Sequence, residues 1–179
     1  WRLSQRSGRP LSLLTIPDEA WTRLVRLGFD AVWLMGVWAR SPGARAWALA
    51  DPALRRAYDE ARPGWEETDI EGSPYAVSAY RLDPELGQPG ELAAFKRKLN
   101  RLGLRLFLDF VPNHLAVDHP WTLAHPDRFV RGNPTQVQRH PDWFFRTPAG
   151  EWLAHGRDPY FPPWRDTAQV NVFSEELRE

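Results

Sequence analysis

Two polar side chains, Asn113 and His114, directly follow an apolar run that contains one acid, Asp109. The run with its polar end, residues 104–114, has the sequence LRLFLDFVPNH. Its length and its glycine and proline boundaries are typical of a strand covered on both faces. A carboxylate inside such a strand is costly unless a charged or hydrogen-bonding group meets it. Parallel α/β folds place ligand sites at the carboxyl ends of their strands, so this stretch is either a site or a core strand with a satisfied acid.

Several side chains predicted to lie on loops have the chemistry for acid–base or nucleophilic catalysis. They are Asp109, His114, Asp118, Asp158 and Asp166. A pair of carboxylates on either side of a glycosidic bond is the standard arrangement for glycoside hydrolysis.

Histidines offer a second kind of chemistry, metal binding. The candidates are His114, His119, His125 and His155. Their spacings match no helical ligand pair, and most of them lie in loops or precede proline, so a catalytic metal site is disfavoured. The sequence contains no glycine-rich phosphate loop and no GxSxG elbow, which leaves nucleotide and serine-hydrolase chemistry without support.

Composition narrows the ligand class. The 179 residues carry 23 basic and 23 acidic side chains, so neither nucleic acid nor an acidic membrane surface is an expected partner. There is no cysteine, but there are ten tryptophans, whose flat faces stack on sugars or bases. Without a basic excess, sugar is the favoured ligand. No membrane span or signal peptide is visible, which predicts a cytoplasmic protein, although a chain that begins at Trp1 leaves room for an upstream segment.

Helix and strand patterns alternate in the first part of the chain. Helical spacing over 17–27 and 89–102 ends each time at a glycine, and each glycine precedes a buried strand, 31–35 and 104–111. This repeated joint predicts a parallel sheet, and the short αβ and long βα connections are typical of a barrel. Residues 44–61 predict two helices broken at Asp51-Pro52. The first 14 residues show no obvious element, and the segment after Pro112 is irregular and rich in proline and tryptophan.

The stretch Asp109-Phe-Val-Pro-Asn-His114 resembles the first signature of the α-amylase superfamily, glycoside hydrolase family 13, which reads D-x-V-x-N-H. Three further phrases resemble the same family in the same order. They are residues 28–34 (GFDAVWL), Tyr75 with residues 80–87 (YRLDPELG), and residues 164–171 (WRDTAQVN). The resemblance covers residues 17–179.

The resemblance implies a partial (β/α)8 TIM barrel that contains about strands two and three with their helices. Residues 1–111 would form the N-terminal part of the catalytic barrel. Residues 112–179 would form a long loop region that leads toward strand four. The remainder of the barrel is expected C-terminal to Glu179.

The resemblance also implies roles for four residues. His114 would hydrogen-bond the sugar beside the cleaved bond, and Tyr75 would stack on the same ring. Asp109 would support the active site by pairing with an arginine on strand four. Asn113 would correspond to a position that binds structural calcium in many α-amylases; no other cofactor is expected. Ala76 departs from the family, which often has aspartate there.

The expected function is therefore that of the substrate-binding, N-terminal part of an α-retaining glycosidase or transglycosylase acting on an α-glucan or α-glucoside. The catalytic carboxylates are expected downstream of this chain, so no residue in it is predicted to be catalytic and the isolated piece is predicted to be inactive. The alternative is a non-catalytic carbohydrate-binding or scaffold protein derived from that barrel.

Overall fold

The computed structural model describes residues 2–178, with the backbone alone at Arg2. The helices are α1 (Arg2–Ser7), α2 (Asp18–Arg26), α3 (Pro42–Ala50), α4 (Pro52–Ala61), α5 (Glu91–Arg101), α6 (Trp121–Ala124), α7 (Pro134–Arg139) and α8 (Glu175–Arg178). The strands are β1 (Ala31–Leu34), β2 (Trp38–Arg40), β3 (Val77–Leu82), β4 (Arg105–Leu108), β5 (His114–Ala116), β6 (Phe144–Arg146), β7 (Trp152–Ala154) and β8 (Thr167–Gln169). Single 3-10 turns lie at Glu67–Asp69, Pro126–Arg128 and Pro141–Trp143.

The chain divides into two compact units. Unit 1 comprises Trp1–Ala39 and Tyr80–Phe110, and unit 2 comprises Arg40–Ala79 and Val111–Glu179. The described strands pair two by two, as β1–β4, β2–β3, β5–β8 and β6–β7, and no closed barrel forms among them.

Unit 1 contains the predicted parallel pair. Strands β1 and β4 run parallel in the register Ala31↔Arg105 to Leu34↔Leu108. Each is preceded by its predicted helix, α2 or α5. The alternation of helix and strand with short αβ joints is therefore confirmed.

The two αβ joints have the same geometry. Gly28 and Gly103 both have positive φ, 90° and 84°, in the left-handed region that side chains disfavour. At each joint the residue after the glycine donates its backbone N–H to the carbonyl five residues earlier, Phe29 to Leu24 and Leu104 to Leu99. This pattern is the Schellman ending of a helix, and it turns the chain directly into the following strand.

The apolar face of α5 forms the centre of the unit 1 core. Phe95 and Leu99 have no exposed surface, and the ring of Phe95 lies 5.2 Å from that of Trp21 on α2. Helical spacing of apolar residues places them on one face, as the sequence predicts. The same cluster includes Val37, Leu82 and Leu104.

The prediction that the strand at 104–111 is covered on both faces is wrong for the described chain. Leu106 and Leu108 pack toward the core, but Phe107 is 54% exposed. Its register partner Trp33 on β1 is 60% exposed. Successive side chains in a strand point to opposite faces, so one face of the β1–β4 pair meets the core and the other is open.

Unit 2 contains more regular structure than its sequence suggests. Strands β5 and β8 pair antiparallel, as do β6 and β7. A second core of Leu115, Phe129, Leu153, Ala168 and Val170 lies among them.

In unit 1, the sequence predicts no element over the first 14 residues, whereas the structure has helix α1 there.

The predicted break at Asp51-Pro52 is confirmed. Helix α3 ends at Ala50, and Asp51 begins the next helix, where its Oδ1 accepts from the backbone N–H groups of Ala53 and Leu54. A side-chain oxygen at this position satisfies N–H groups that have no partner within the helix.

Asp118 fixes the start of α3. The hydroxyl of Ser41 donates to its Oδ1 at 2.5 Å, and the backbone N–H of Gly43 donates to its Oδ2 at 2.7 Å. Ser41 is 1% exposed and is itself the N-cap of α3, accepting from the N–H of Ala44. A Cβ at Gly43 would lie 2.9 Å from the Asp118 carboxyl carbon, so a larger residue there would displace the carboxylate.

Replacing Asp118 with alanine should lower the free energy of unfolding by about 1–3 kcal/mol, because the buried Ser41 hydroxyl and the Gly43 N–H lose their acceptors. Urea unfolding followed by circular dichroism measures the change. The control is Asp142→Ala, which removes an ion pair with Arg165 whose side chains are 72% and 53% exposed and should cost below about 1 kcal/mol. Equal losses in the two variants would contradict the anchoring role of Asp118.

Within residues 2–178, no helix combines the length and apolar character needed to cross a membrane.

Candidate active site

A cavity of about 440 Å³ in unit 2 collects the predicted sugar-contacting residues. Tyr75 reaches it from the loop before β3, and His114 from the first position of β5. Its other lining residues are Trp47, Ser73, Pro163, Trp164, Arg165, Asp166 and Thr167. The cavity therefore brings together residues that are far apart in the sequence.

Strand pairing sets the position of His114. In the β5–β8 register His114 lies opposite Gln169, and its ring lies 5.2 Å from the ring of Trp164. The backbone of Gly156 approaches closely, since a Cβ there would lie 3.1 Å from His114 Cβ and 2.5 Å from Thr167 Oγ1. These contacts leave His114 only 8% exposed and hold its ring at the cavity wall.

Burial shifts the pKa values of two lining residues in opposite directions, and in each case it favours the uncharged form. It lowers the pKa of His114, and a polar contact with the backbone of Tyr75 acts in the opposite direction. Burial also raises the pKa of Asp166, which is 8% exposed. At neutral pH His114 is therefore an uncharged imidazole, which can both donate and accept a hydrogen bond.

Asp109 lies in unit 1, and its carboxylate is met by neutral donors there. Trp33 Nε1 donates to Oδ1 at 2.9 Å, and the backbone N–H of Gly36 donates to Oδ2 at 2.7 Å. Trp38 Nε1 donates to the backbone carbonyl of Asp109 at 2.8 Å. Two hydrogen bonds account for this acid, which lies directly after β4, and its pairing with an arginine stays a prediction.

The two oxygens of Asn113 face a hydrogen-bond donor, and calcium binding at Asn113 stays a prediction. The Gln169 amide nitrogen Nε2 lies 2.8 Å from the Asn113 backbone oxygen and 3.0 Å from Oδ1. Calcium requires a shell of oxygens aimed at the ion, whereas here an N–H donor faces both Asn113 oxygens. In the part of the chain that the structure describes, no three His, Asp or Glu side chains are grouped as a metal site.

The remaining acid–base candidates separate into structural and cavity residues. Asp118 anchors α3, and Asp158 Oδ1 accepts from the backbone N–H groups of Tyr160 and Phe161. Asp166 is the carboxylate among the cavity's lining residues. Trp47 on α3 also lines the cavity, and the sequence does not mark it as a site residue, since a single tryptophan in an alanine-rich helix forms no pattern.

Ala76, which departs from the family pattern, is explained by packing. It is fully buried in a cluster with Ala44 and Ala116. An aspartate there would have to bury a carboxylate among methyl groups, which is costly.

The buried histidines predict a loss of stability in mild acid. Burial lowers the pKa of each of His114, His119 and His155. Their unfolded pKa is about 6.5, so as pH falls through this value the unfolded chain binds protons more readily than the folded chain and stability is lost. The raised pKa of Asp166 has the opposite sign and acts at lower pH, closer to its ordinary value of 3.8.

The measurement is urea unfolding at about pH 7.5 and about pH 5.5, on either side of the unfolded histidine pKa. The free energy of unfolding should be lower at the acidic value, and His155→Gln should reduce the difference. A free energy of unfolding that is equal at both pH values would contradict the lowered pKa values.

Comparison with known proteins identifies the family of the chain. The model of the α-amylase catalytic domain matches residues 22–174, and the chain therefore belongs to this family. Maltase 1 of Drosophila virilis is 44% identical over 48 residues, which are 26% of this chain and 8% of that protein. A probable α-glucosidase of Rhizobium meliloti (strain 1021) is 31% identical over 88 residues, 45% of this chain and 15% of that protein.

Solved structures show the fold. The trehalose-6-phosphate hydrolase of Bacillus licheniformis (mutant R201Q) superposes with a TM-score of 0.60 at 15% identity, over 93% of this chain and 27% of that one. An α-amylase from H. orenii superposes with a TM-score of 0.55 at 18% identity, over 93% and 31%. The chain thus has the fold of part of an α-amylase barrel and spans less than a third of each of these proteins.

Proposed function

We propose that this chain is the substrate-binding, N-terminal part of an α-retaining glycoside hydrolase or transglycosylase acting on α-glucosidic carbohydrates. The observation that carries the proposal is the cavity of unit 2, which Tyr75, His114 and Trp164 all line, in a chain of the α-amylase family. The names of the two curated relatives, a maltase and a probable α-glucosidase, agree with an α-glucoside as the ligand.

The lining residues suit a sugar ring. Aromatic side chains such as Tyr75 and Trp164 offer flat faces to the apolar face of a pyranose. The neutral imidazole of His114 can donate a hydrogen bond to a hydroxyl, and Asp166 can accept from a hydroxyl when ionised. Hydrogen bonds from these side chains would replace the hydrogen bonds to water that a sugar loses when it enters the cavity.

The cavity by itself lacks the pair of carboxylates that a double-displacement reaction needs. Retaining glycosidases need one carboxylate to attack the anomeric carbon and a second to protonate the departing oxygen. The lining residues include one carboxylate, Asp166. We assign the nucleophile and the acid–base residue to the rest of the barrel, C-terminal to Glu179. There the nucleophile would form a β-glycosyl ester and the second carboxyl would protonate the leaving oxygen, before water or a sugar hydroxyl releases the glycosyl group.

A neighbouring cavity favours a ligand longer than one ring. It has a volume of about 510 Å³, also lies in unit 2, and shares Trp47, Ser73 and Asp166 with the first. Two cavities with common walls can hold adjacent rings of one chain, so an oligosaccharide is the appropriate probe.

The test is titration of the tryptophan fluorescence of the chain with maltotriose, because Trp47 and Trp164 line the cavity. A saturable change is expected, and the β-linked cellotriose should produce a weaker one. No glucose or maltose should be released, because the second carboxylate is not among the lining residues. Equal responses to the two sugars would contradict α-glucoside selectivity, and sugar release would contradict the assignment of catalysis to another segment.

A non-catalytic carbohydrate-binding or scaffold protein is the second candidate. It is favoured by a match to a mouse protein named as an amino acid transporter heavy chain, SLC3A1, which is 28% identical over 88 residues, 45% of this chain and 12% of that protein. Assay of the complete polypeptide on maltotriose discriminates the two: binding without turnover would support this candidate, and turnover would exclude it.

A further inference from the structure

Three polar side chains form a hydrogen-bonded series at the start of β5: Gln169 contacts Asn113, and Asn113 contacts His114. We propose that Gln169 and Asn113 are positioning residues that hold His114 as the neutral tautomer protonated at Nε2. We further propose that the Gln169 carboxamide occupies the place a cation would take at Asn113. Only the use of the Nε2 proton on a sugar rests on the proposed function.

The backbone determines which way the Gln169 carboxamide faces. A backbone carbonyl only accepts hydrogen bonds, so the atom of Gln169 that lies 2.8 Å from the Asn113 carbonyl must be its nitrogen. The other end agrees, since Gln169 Oε1 lies 3.4 Å from the backbone N–H of Arg157, which only donates. Two backbone groups of opposite character therefore fix the orientation.

The orientation of Gln169 in turn fixes Asn113. The same Gln169 nitrogen lies 3.0 Å from Asn113 Oδ1, and a reversed Asn113 carboxamide would place two N–H groups against each other. With Oδ1 facing Gln169, Asn113 Nδ2 lies 3.2 Å from His114 Nδ1. An amide nitrogen only donates, so Nδ1 accepts and the single proton of the neutral ring is on Nε2.

This arrangement excludes the role of Asn113 as a calcium ligand. Calcium would need Oδ1 free and further oxygens around it, whereas Gln169 aims an NH2 group at that oxygen. The carboxamide satisfies Asn113 without an ion. It also turns the nitrogen of Asn113 toward His114. The contact between Gln169 and Asn113 therefore accounts both for the satisfied Asn113 oxygen and for the proton on His114 Nε2.

His155 is predicted to be the opposite tautomer, with its proton on Nδ1, and serves as an internal reference for the His114 signals. Its Nδ1 lies 3.0 Å from the backbone carbonyl of Thr167, which only accepts, so His155 carries its proton on Nδ1. This hydrogen bond does not involve the Gln169 carboxamide, so changes at Gln169 should leave the His155 tautomer unaltered.

The test is two-dimensional 1H–15N correlation of the histidine rings in the 179-residue chain, in which protonated and unprotonated ring nitrogens resonate in well-separated regions. His114 should show a protonated Nε2 and His155 a protonated Nδ1. In Gln169→Glu the introduced carboxylate cannot donate to Asn113, so the Asn113 carboxamide should turn its nitrogen toward the acid and its oxygen toward the ring. The His114 proton should then move to Nδ1.

Asn113→Asp is a second variant that does not rely on this rotation, because a carboxylate facing Nδ1 also demands a proton there. Gln138→Glu makes the same change at an exposed glutamine and should leave every histidine signal in place. A His114 tautomer that stays at Nε2 in both Gln169→Glu and Asn113→Asp, with the His155 signals unchanged, would overturn the proposal.

Addition of calcium tests the second part of the proposal, that the Gln169 carboxamide takes the place of a cation. Millimolar calcium chloride should leave the His114 signals of the wild-type chain unmoved, and a specific shift would overturn the statement that the carboxamide takes the place of a cation. Failure of maltotriose to bind would count against the proposed function but would not alter the tautomer result, so the two failures are distinguishable.

Discussion

Replacing Phe95 with alanine is expected to lower the free energy of unfolding by about 3–5 kcal/mol. Phe95 has no exposed surface, packs its ring 5.2 Å from Trp21, and belongs to the core between α2, α5 and the β1–β4 pair. Removing the ring forfeits its burial and leaves a cavity that the surrounding helices only partly fill. Since small domains are stable by about 5–15 kcal/mol, this loss is a large fraction of the total.

Urea unfolding followed by tryptophan fluorescence measures the effect. The matched control is Phe110→Ala, in the same unit, where the ring is 75% exposed and its contact is with Tyr80 at 5.8 Å. The control should lose no more than about 1.5 kcal/mol, the upper range for one aromatic pair. Losses of equal size in the two variants would show that Phe95 is not the centre of the unit 1 core.

The parallel pair was predictable because local signals agree with one another there. Apolar spacing along α5, glycine at the two αβ joints and a following apolar run all demand the same helix-to-strand turn, and Gly28 and Gly103 adopt it with nearly equal φ. The break before α4 was predictable for the same reason, since aspartate followed by proline both stops one helix and caps the next.

Exposure of the β1–β4 face was not predictable from the run itself. Trp33 and Phe107 are as apolar as the residues that pack inward, so the composition of the strand does not reveal which face has a neighbour. Burial depends on what lies across the strand, and this is a property of distant parts of a chain.

The strands of unit 2 escaped prediction because each is only three residues long. A three-residue strand shows no usable alternation, and it is stabilised by its partner rather than by its own sequence. The many prolines of this segment predict irregular structure and give no sign of strand pairs such as β5–β8. The register of that pair places His114 opposite Gln169.

The candidate site was predictable in part. The resemblance pointed to His114 and Tyr75, and both line the same cavity. Trp47 has no motif around it, and the contact of Gln169 with Asn113 depends on strand register across 56 positions. Contacts of this kind require the tertiary structure.

Replacing His114 with alanine is expected to weaken maltotriose binding by about tenfold, which corresponds to about 1.4 kcal/mol and to the loss of one well-placed hydrogen bond. His114 lines the cavity, is uncharged at neutral pH because burial lowers its pKa, and lies beside Trp164. In the complete barrel, turnover of an α-glucan should fall by about tenfold or more, since a contact that strengthens in the transition state contributes to rate as well as binding.

Isothermal titration calorimetry with maltotriose measures the binding change, and thermal unfolding confirms that the variant is folded. The matched control is His140→Ala, in the same unit, whose exposed ring stacks on Trp143 at 3.8 Å and does not line the cavity. Its affinity for maltotriose should equal that of the wild-type chain. An unchanged affinity in a folded His114→Ala variant would remove His114 from the sugar site, because a neutral imidazole in contact with a hydroxyl cannot be lost without leaving that hydroxyl unpaired.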